Sequence, residues 1–382
     1  MNPIREFHII DSTLREGEQF ALAHFTQEQK LTIAAALDAF GVDYMELSSP
    51  VASPQSDADL RLLAAQARGF RLLTHVRCNL DDARHAIATG VDGVDVLFAT
   101  SSRLRPASHP YSIDEIIEIG TDVVREITAA GLEARFSSED SFRSDPDDLI
   151  RIYRAIDQAG PARVGIADTV GIATPRQVHE LISLVRRNVE CDIEFHAHND
   201  TGCAVANAHA ALEAGATHID TTILGIGERN GIVPMSAMIA RLLTVQPELV
   251  ERYRLELLPE LDHMMAEMLG IDVPFNAPVT AATAFHHKAG MHTKAVLTDP
   301  GAYEVLDPAR FGLQRQILAG HRLTGRHAVS ARATALGVDL DDVQLRELTA
   351  EIKRRGDTAP IPDVELDELI AAWTDTATEE TA

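Results

Sequence analysis

Two histidines two residues apart, His196 and His198, carry the sharpest chemical signal in this chain. They lie in the β-rich run DIEFHAH (192–198). On a strand, positions i and i+2 face the same side, so both imidazoles point one way. Such a pair binds one divalent metal when a carboxylate joins it and positions stay open for substrate. The same spacing also fits two hydrogen-bonded histidines lining a polar mouth. Glu16 follows another β-rich run and supplies the carboxylate that favours the metal reading. Beside it, Arg15 could stabilise negative charge on a polarised carbonyl oxygen, with a surface ion pair as the plain alternative.

Polar or ionisable groups recur along the other β-rich runs and just after them. Glu46, His75, Asp95, Arg135, Ser137, Glu139, Thr169, Glu194, Asp220 and Glu228 all stand there. Arg135 and His75 could clamp a distal carboxylate by charge-assisted hydrogen bonds, or pair structurally with Glu139 or Asp95. GIGERNG (225–231) is not G-x-G-x-x-G, so it is a weak dinucleotide signal. It fits a backbone nest for phosphate or a tight turn that orients Glu228 and Arg229.

These side chains need a scaffold that brings eight strand ends together. The β-rich runs fall at 7–13, 44–49, 71–76, 93–98, 133–138, 163–169, 192–198 and 218–225. Helical spacing fills the gaps. Ser112 with Glu115 reads as a capping box before Ile113, Ile116, Ile117, Gly120, Val124 and Ile127, and Gly131 stops that helix. Thr26 with Gln29, and Thr174 with Pro175 and Gln177, repeat the start signal. Strand then helix, eight times over, predicts an α/β fold of the (β/α)₈ barrel type, with a doubly wound open sheet as the alternative. A barrel of this kind carries its active site at the carboxyl ends of its strands.

The pattern changes after Gln246. We expect a catalytic barrel over 1–246, a lid or dimerisation subdomain over 247–330, and a small helical subdomain over 331–382. Helices are expected at 255–270, 327–337 and 366–373, a linker at 354–363, and a disordered tail from 374. HHKAGMH (286–292) is dense in ionisable groups within an unperiodic stretch, as loops that cover sites often are.

Composition narrows the partners. Lys plus Arg is 34 and Asp plus Glu is 58 in 382 residues, a net charge of −24. That excludes a nucleic-acid backbone binder and adhesion to anionic membrane. Forty-five per cent hydrophobic residues fill a large core. The three cysteines, Cys78, Cys191 and Cys203, form no C-x-x-C pair, which points to a reducing compartment. Neither a signal peptide nor a membrane span is expected, so the expected location is the cytoplasm.

The motifs DSTLREGEQF (11–20), SSPVASPQS (48–56), RFSSEDSFRSD (135–145), GIADTVGIATPRQV (165–178), HAHNDTGCAVANA (196–208), DTTILGIGERNG (220–231) and HKAGMH (287–292) together resemble the homocitrate synthase family. Its Claisen-condensing relatives include isopropylmalate synthase and hydroxymethylglutaryl-CoA lyase. The likeness spans about residues 7 to 330. R-E-G-E-Q at 15–19, with His75 and Asp95, resembles the homocitrate branch rather than relatives that use branched 2-oxo acids.

This resemblance implies an acyltransferase that joins acetyl-CoA to 2-oxoglutarate, giving (R)-homocitrate and CoA at the start of lysine biosynthesis through 2-aminoadipate. It implies Glu16, His196 and His198 as ligands of a divalent metal (Mg²⁺, Mn²⁺, Zn²⁺ or Co²⁺). Arg15, His75, Arg135, Ser137 and Thr169 would contact 2-oxoglutarate. Glu139, His292 and Tyr303 would handle protons, with Arg15 beside the reacting carbonyl. His292 and Tyr303 would come from the partner subunit of a homodimer. L-lysine would inhibit at the same site, its ammonium facing Asp95, Glu46 and Glu194, with Ser137 nearby. The rivals are the same chemistry on another 2-oxo acid, a related lyase, and a non-catalytic barrel that senses lysine or metal.

Overall fold

Eight parallel strands close on themselves. The computed structural model describes residues 4–108 and 110–379, with side chains described as far as Trp373. The strands are β1 His8–Asp11, β2 Tyr44–Leu47, β3 Arg71–Arg77, β4 Gly93–Ala99, β5 Glu133–Glu139, β6 Arg163–Asp168, β7 Asp192–Ala197 and β8 His218–Thr222. Each pairs in parallel with its sequence neighbour, and β1 pairs with β8 from His8↔His218 to Asp11↔Thr221. That last pairing makes a barrel and excludes the open sheet.

The helices between the strands follow the predicted signals. They are α1 Gln27–Phe40, α2 Pro54–Ala64, α3 Leu80–Ile87, α4 Ile113–Ala129, α5 Pro146–Asp157, α6 Pro175–Arg186, α7 Ala204–Glu213 and α8 Met235–Leu243. Thr26, Ser112 and Thr174 each complete a reciprocal capping box with Gln29, Glu115 and Gln177. Such a cap contributes about 1 kcal/mol, so Ser112→Ala would fray the first turn of α4. The helix ends at Ala129, and its buried stripe is Ile113, Ile116, Gly120, Val123, Val124 and Ile127. Val123, rather than the half-buried Ile117, completes that face. Strand β6 is buried at all six positions, helices on one side and the barrel interior on the other.

The chain divides into two compact units, Met1–Ala281 and Ala282–Ala382. The first boundary therefore lies beyond the expected 246. The added segment carries α9, Leu258–Leu269, whose buried Asp262 accepts from the Leu224 N–H (3.1 Å) and the Thr280 hydroxyl (2.6 Å). Those bonds tie it to the loop after β8.

The second unit does not divide at 331. One apolar cluster runs from Ala319 through Val329, Leu348, Ile352 and Leu366 to Ile370. Its helices are α10 Gly290–Thr298, α11 Arg326–Ala335, α12 Asp342–Gly356 and α13 Asp363–Glu379. Helix α12 covers the start of the expected linker. Helix α13 takes in most of the tail expected to be disordered, because no Gly or Pro interrupts it; residues 380–382 lie outside the described residues. Among the described residues, no helix is long and apolar enough to cross a membrane.

Candidate active site

The carboxyl end of β1 turns sharply. Asp11 accepts from both the N–H (3.0 Å) and the hydroxyl (3.1 Å) of Thr13. A short 3₁₀ turn, Gly17–Gln19, follows and leaves Arg15 and Glu16 buried beside the barrel axis. Across the closure, His196 on β7 and His198 just beyond it bring their Nε2 atoms to 3.2 Å. Glu16 Oε1 lies 3.9 Å from His198 Nε2. One donor atom from each of Glu16, His196 and His198 falls within 4.8 Å of the other two.

This donor set fits a divalent metal. His196 donates through Nδ1 to Asp220 Oδ2 over 2.8 Å, so its Nε2 presents a lone pair. Burial, then Arg15, lowers His196 to a pKa of about 4. Burial, then His196, lowers His198 to about 4. Both are neutral at pH 7, as ligation requires. Burial opposes ionisation of Glu16, but Arg15, the two histidines and the Glu228 N–H together hold its pKa below the usual value. Glu16 uses Oε2 for Arg15 Nη1 (2.6 Å) and Oε1 for the Glu228 N–H (2.9 Å).

The GIGERNG segment is a turn, and two of its glycines are required by close approach. A Cβ on Gly227 would sit 2.9 Å from Glu16 Oε1, and one on Gly231 would sit 1.8 Å from the Gly225 carbonyl oxygen.

Below the histidines a column of ion pairs runs along the barrel axis. Arg15 Nε meets Glu46 (2.7 Å), and Glu46 meets Arg135 (3.4 Å). Arg135 meets Glu194 (2.7 Å), Glu194 meets Arg163 (3.2 Å), and Arg163 meets Glu133 (2.8 Å). Arg163 also lies 4.7 Å over the Tyr44 ring. Burial pushes Glu194 up to about 7 and Asp220 to about 6. It also raises Asp95 well above the usual carboxylate range. Asp95 and Arg135 are 3.5 Å apart, yet neither Asp95 oxygen has a hydrogen-bond partner among the described residues.

A cavity of about 430 Å³ opens above this column. Arg15, Glu16, His75, Arg135, Ser137, Glu139, Thr169, His196 and His198 all line it, and so do Asp220, Glu228 and Arg229, so twelve of the residues singled out in the sequence converge. Burial, followed by Asp140, raises the Glu139 carboxyl. Burial keeps His75 neutral, so any clamp it makes is a neutral hydrogen bond rather than an ion pair. Its Nε2 has no partner among the described residues. Arg135 pairs with Glu194, Glu46 and Asp95, and not with Glu139.

Glu46, Asp95 and Glu194 do not line the cavity. Each lies against Arg135 instead. His292 and Tyr303 belong to the second unit, where their rings lie tilted by 31° with centroids 4.3 Å apart.

Sequence reasoning missed the work of Asp220, although a signal existed. The β7–β8 register pairs Glu194 with His218 and Phe195 with Ile219, so the next step sets His196 beside Asp220. Gln19 and Ala167 also line the cavity, from the motifs at 11–20 and 165–178, whereas Leu97 lines it from outside any motif.

Residues 6–265 match the family model described as HMGL-like, and residues 279–360 match that described as homocitrate synthase post-HMGL domain-like. The mitochondrial homocitrate synthase of Schizosaccharomyces pombe is 51% identical over 374 residues, covering 98% of this chain and 90% of that protein. The mitochondrial enzyme of Saccharomyces cerevisiae is 50% identical over 371 residues, covering 97% and 84%. The homocitrate synthase of Sulfurisphaera tokodaii is 38% identical over 371 residues, covering 96% and 80%. Among solved structures, hydroxymethylglutaryl-CoA lyase from Pseudomonas aeruginosa shares the fold, with a TM-score of 0.63 at 22% identity over 78% of this chain and 99% of that one. A closed barrel with these motifs, matched along nearly its whole length, belongs to the HMGL-like family, in its homocitrate synthase branch.

Proposed function

We propose that this chain is a metal-dependent homocitrate synthase. It joins the acetyl group of acetyl-CoA to 2-oxoglutarate and releases (R)-homocitrate and CoA. The observation that carries the reading is the convergence of Glu16, His196 and His198 beside Arg15 in one polar cavity. Relatives named homocitrate synthase at 49–51% identity support the choice of reaction.

Glu16, His196 and His198 would hold the divalent ion, which supplies chelation of the 2-oxo acid and polarisation of its carbonyl. Arg15 Nη2 makes no hydrogen bond among the described residues and is free to donate to the oxygen that gains charge. Arg135, His75, Ser137 and Thr169 would bind the two carboxylates. A base takes a proton from the acetyl methyl, and that carbon bonds to C2 of 2-oxoglutarate. The former keto oxygen then takes a proton. Water attacks the thioester carbonyl, the C–S bond breaks, and CoA leaves. We assign the proton transfers to Glu139 with His292 and Tyr303, the latter two from the partner of a homodimer. Met291 and Val305 are 83% and 80% exposed, apolar surface that a second copy would cover.

L-lysine would compete with 2-oxoglutarate. The excess of buried carboxylates around Arg135 suits an ammonium. A cytosolic isozyme among the relatives is consistent with a cytoplasmic setting here.

The test is CoA-thiol release by metal-supplemented protein with 2-oxoglutarate, 2-oxoisovalerate or pyruvate, each with and without lysine. Preference for 2-oxoglutarate with inhibition by lysine is expected. Preference for 2-oxoisovalerate would leave the barrel and donor set standing and overturn the assignment of His75 and Arg135. No release with any acid would overturn the synthase reading.

A further inference from the structure

Thr169 is held from two sides by residues whose backbones adopt the left-handed conformation. The Asp140 N–H donates to Thr169 Oγ1 over 2.8 Å. Arg229 donates through Nη2 to the Thr169 carbonyl oxygen over 2.7 Å. Asp140 has φ 62° and Arg229 has φ 56°, a region that non-glycine residues seldom adopt. Each is locked there. Arg143 Nε donates to Asp140 Oδ1 (2.7 Å), the Ser101 hydroxyl donates to Oδ2, and Ser144 donates to the Asp140 carbonyl (2.9 Å). Arg229 grips both oxygens of Asp200, at 2.8 and 3.0 Å. Two loops, after β5 and β8, thus converge on one residue after β6.

A hydroxyl has one proton to give and lone pairs to accept with. The Asp140 N–H occupies the accepting side of Thr169. Among the described residues the Thr169 proton has no acceptor, and Thr169 lines the cavity. The proton is therefore available to an acceptor that enters. We propose that Asp140 and Arg229 are positioning residues. They act through Thr169, aiming its hydroxyl at a substrate carboxylate and setting affinity for the 2-oxo acid. This rests on the reading of the cavity as a 2-oxoglutarate site.

The experiment is a pair of double-mutant cycles on the full chain, read as KM and kcat for 2-oxoglutarate and as its equilibrium binding to metal-supplemented protein. The single variants are Thr169→Val, Asp140→Gly and Arg229→Asn. The last two keep a residue that tolerates the left-handed backbone, so folding is preserved; Arg229→Asn loses the bond to the Thr169 carbonyl, and Asp140→Gly keeps its N–H but loses the carboxylate bonds to Arg143 and Ser101 that fix where it points. Each single variant is expected to raise KM and weaken binding by about tenfold, the size of one hydrogen bond to a charged group. In the Thr169→Val background, Asp140→Gly and Arg229→Asn should add less than about twofold, because the group they aim is gone. Should either variant fail to fold, Asp140→Asn or Arg229→Lys replaces it in the same cycle. Full additivity in both cycles would overturn the inference. Wild-type protein that neither binds nor turns over 2-oxoglutarate would instead overturn the functional reading beneath it.

Discussion

Nδ1 of His196 donates to Oδ2 of Asp220 across 2.8 Å, and that bond decides which nitrogen of the imidazole faces Glu16 and His198. Asp220 lines the cavity behind His196 and lies 3.9 Å from Arg15 Nη2. Asp220→Asn should therefore weaken divalent-metal binding by about 10–100-fold, the usual cost of losing a carboxylate behind a ligating histidine. His196→Ala and Glu16→Gln should lose more, together with nearly all CoA release. Metal titration by calorimetry and metal analysis after dialysis measure both. Unchanged metal content in His196→Ala protein would reject the site.

Proton competition for the metal should set in late. With His196 and His198 both lowered to about 4, the two imidazoles stay neutral as pH falls through 6 and 5. An ordinary histidine, near about 6.5, would already be mostly protonated at pH 5.5. The sign follows: folded-state values below the ordinary one keep the ligand form above about 4, and binding falls away only as pH drops toward that value. Metal retained after dialysis at pH 5.5 and lost near 4 is expected. Loss already complete at pH 6 would contradict the depressed values.

The axial column should matter for folding. Arg163 is 1% exposed and holds both Glu194 and Glu133. Arg163→Met would leave Glu194 buried with Arg135 as its one ionic partner among the described residues. Breaking one side of a buried pair costs about 3–5 kcal/mol. Urea unfolding followed by circular dichroism would measure it. A loss under about 1 kcal/mol would show that the column contributes little to stability.

Asp95 should report on lysine more than on the reaction. Its oxygens lack hydrogen-bond partners among the described residues, whereas Glu46 takes Ser12 and Arg15 and Glu194 takes Arg135 and Arg163. Asp95→Ala is expected to raise the lysine concentration for half-inhibition by about tenfold or more. Inhibition curves at fixed 2-oxoglutarate test this, and an unshifted curve would remove Asp95 from the inhibitor site.

His292 should separate binding from chemistry. His292→Ala is expected to lower kcat by about 10²–10⁴-fold, the range of a lost acid or base. Affinity for 2-oxoglutarate should hardly change. A large loss of that affinity in calorimetry would reassign His292 to substrate binding.

The barrel was legible because its signals are local. Eight β-rich runs, three reciprocal capping boxes and the glycine stop after α4 are properties of a few adjacent residues. Strand periodicity alone put His196 and His198 on one face. The i, i+2 rule holds wherever the chain is extended. The resemblance added roles that spacing cannot supply.

Other features needed the closed barrel. Glu16 and Glu228 are 212 positions apart, and only the β1–β8 pairing brings them within a hydrogen bond. Arg135 reads in sequence as a cationic clamp or as a partner of Glu139 or Asp95, and the barrel sets it against Asp95, Glu46 and Glu194. His75 reads as a charged contact, but burial in that interior keeps it neutral. The first unit runs on to Ala281, and within it Asp262 reaches Leu224, 38 positions away, a contact that no local pattern encodes. Sequence by itself determined residue types, their spacing and the face each shows. Tertiary structure decided which charges meet, because burial and ion pairing depend on distances set by strand register and closure rather than by position along the chain.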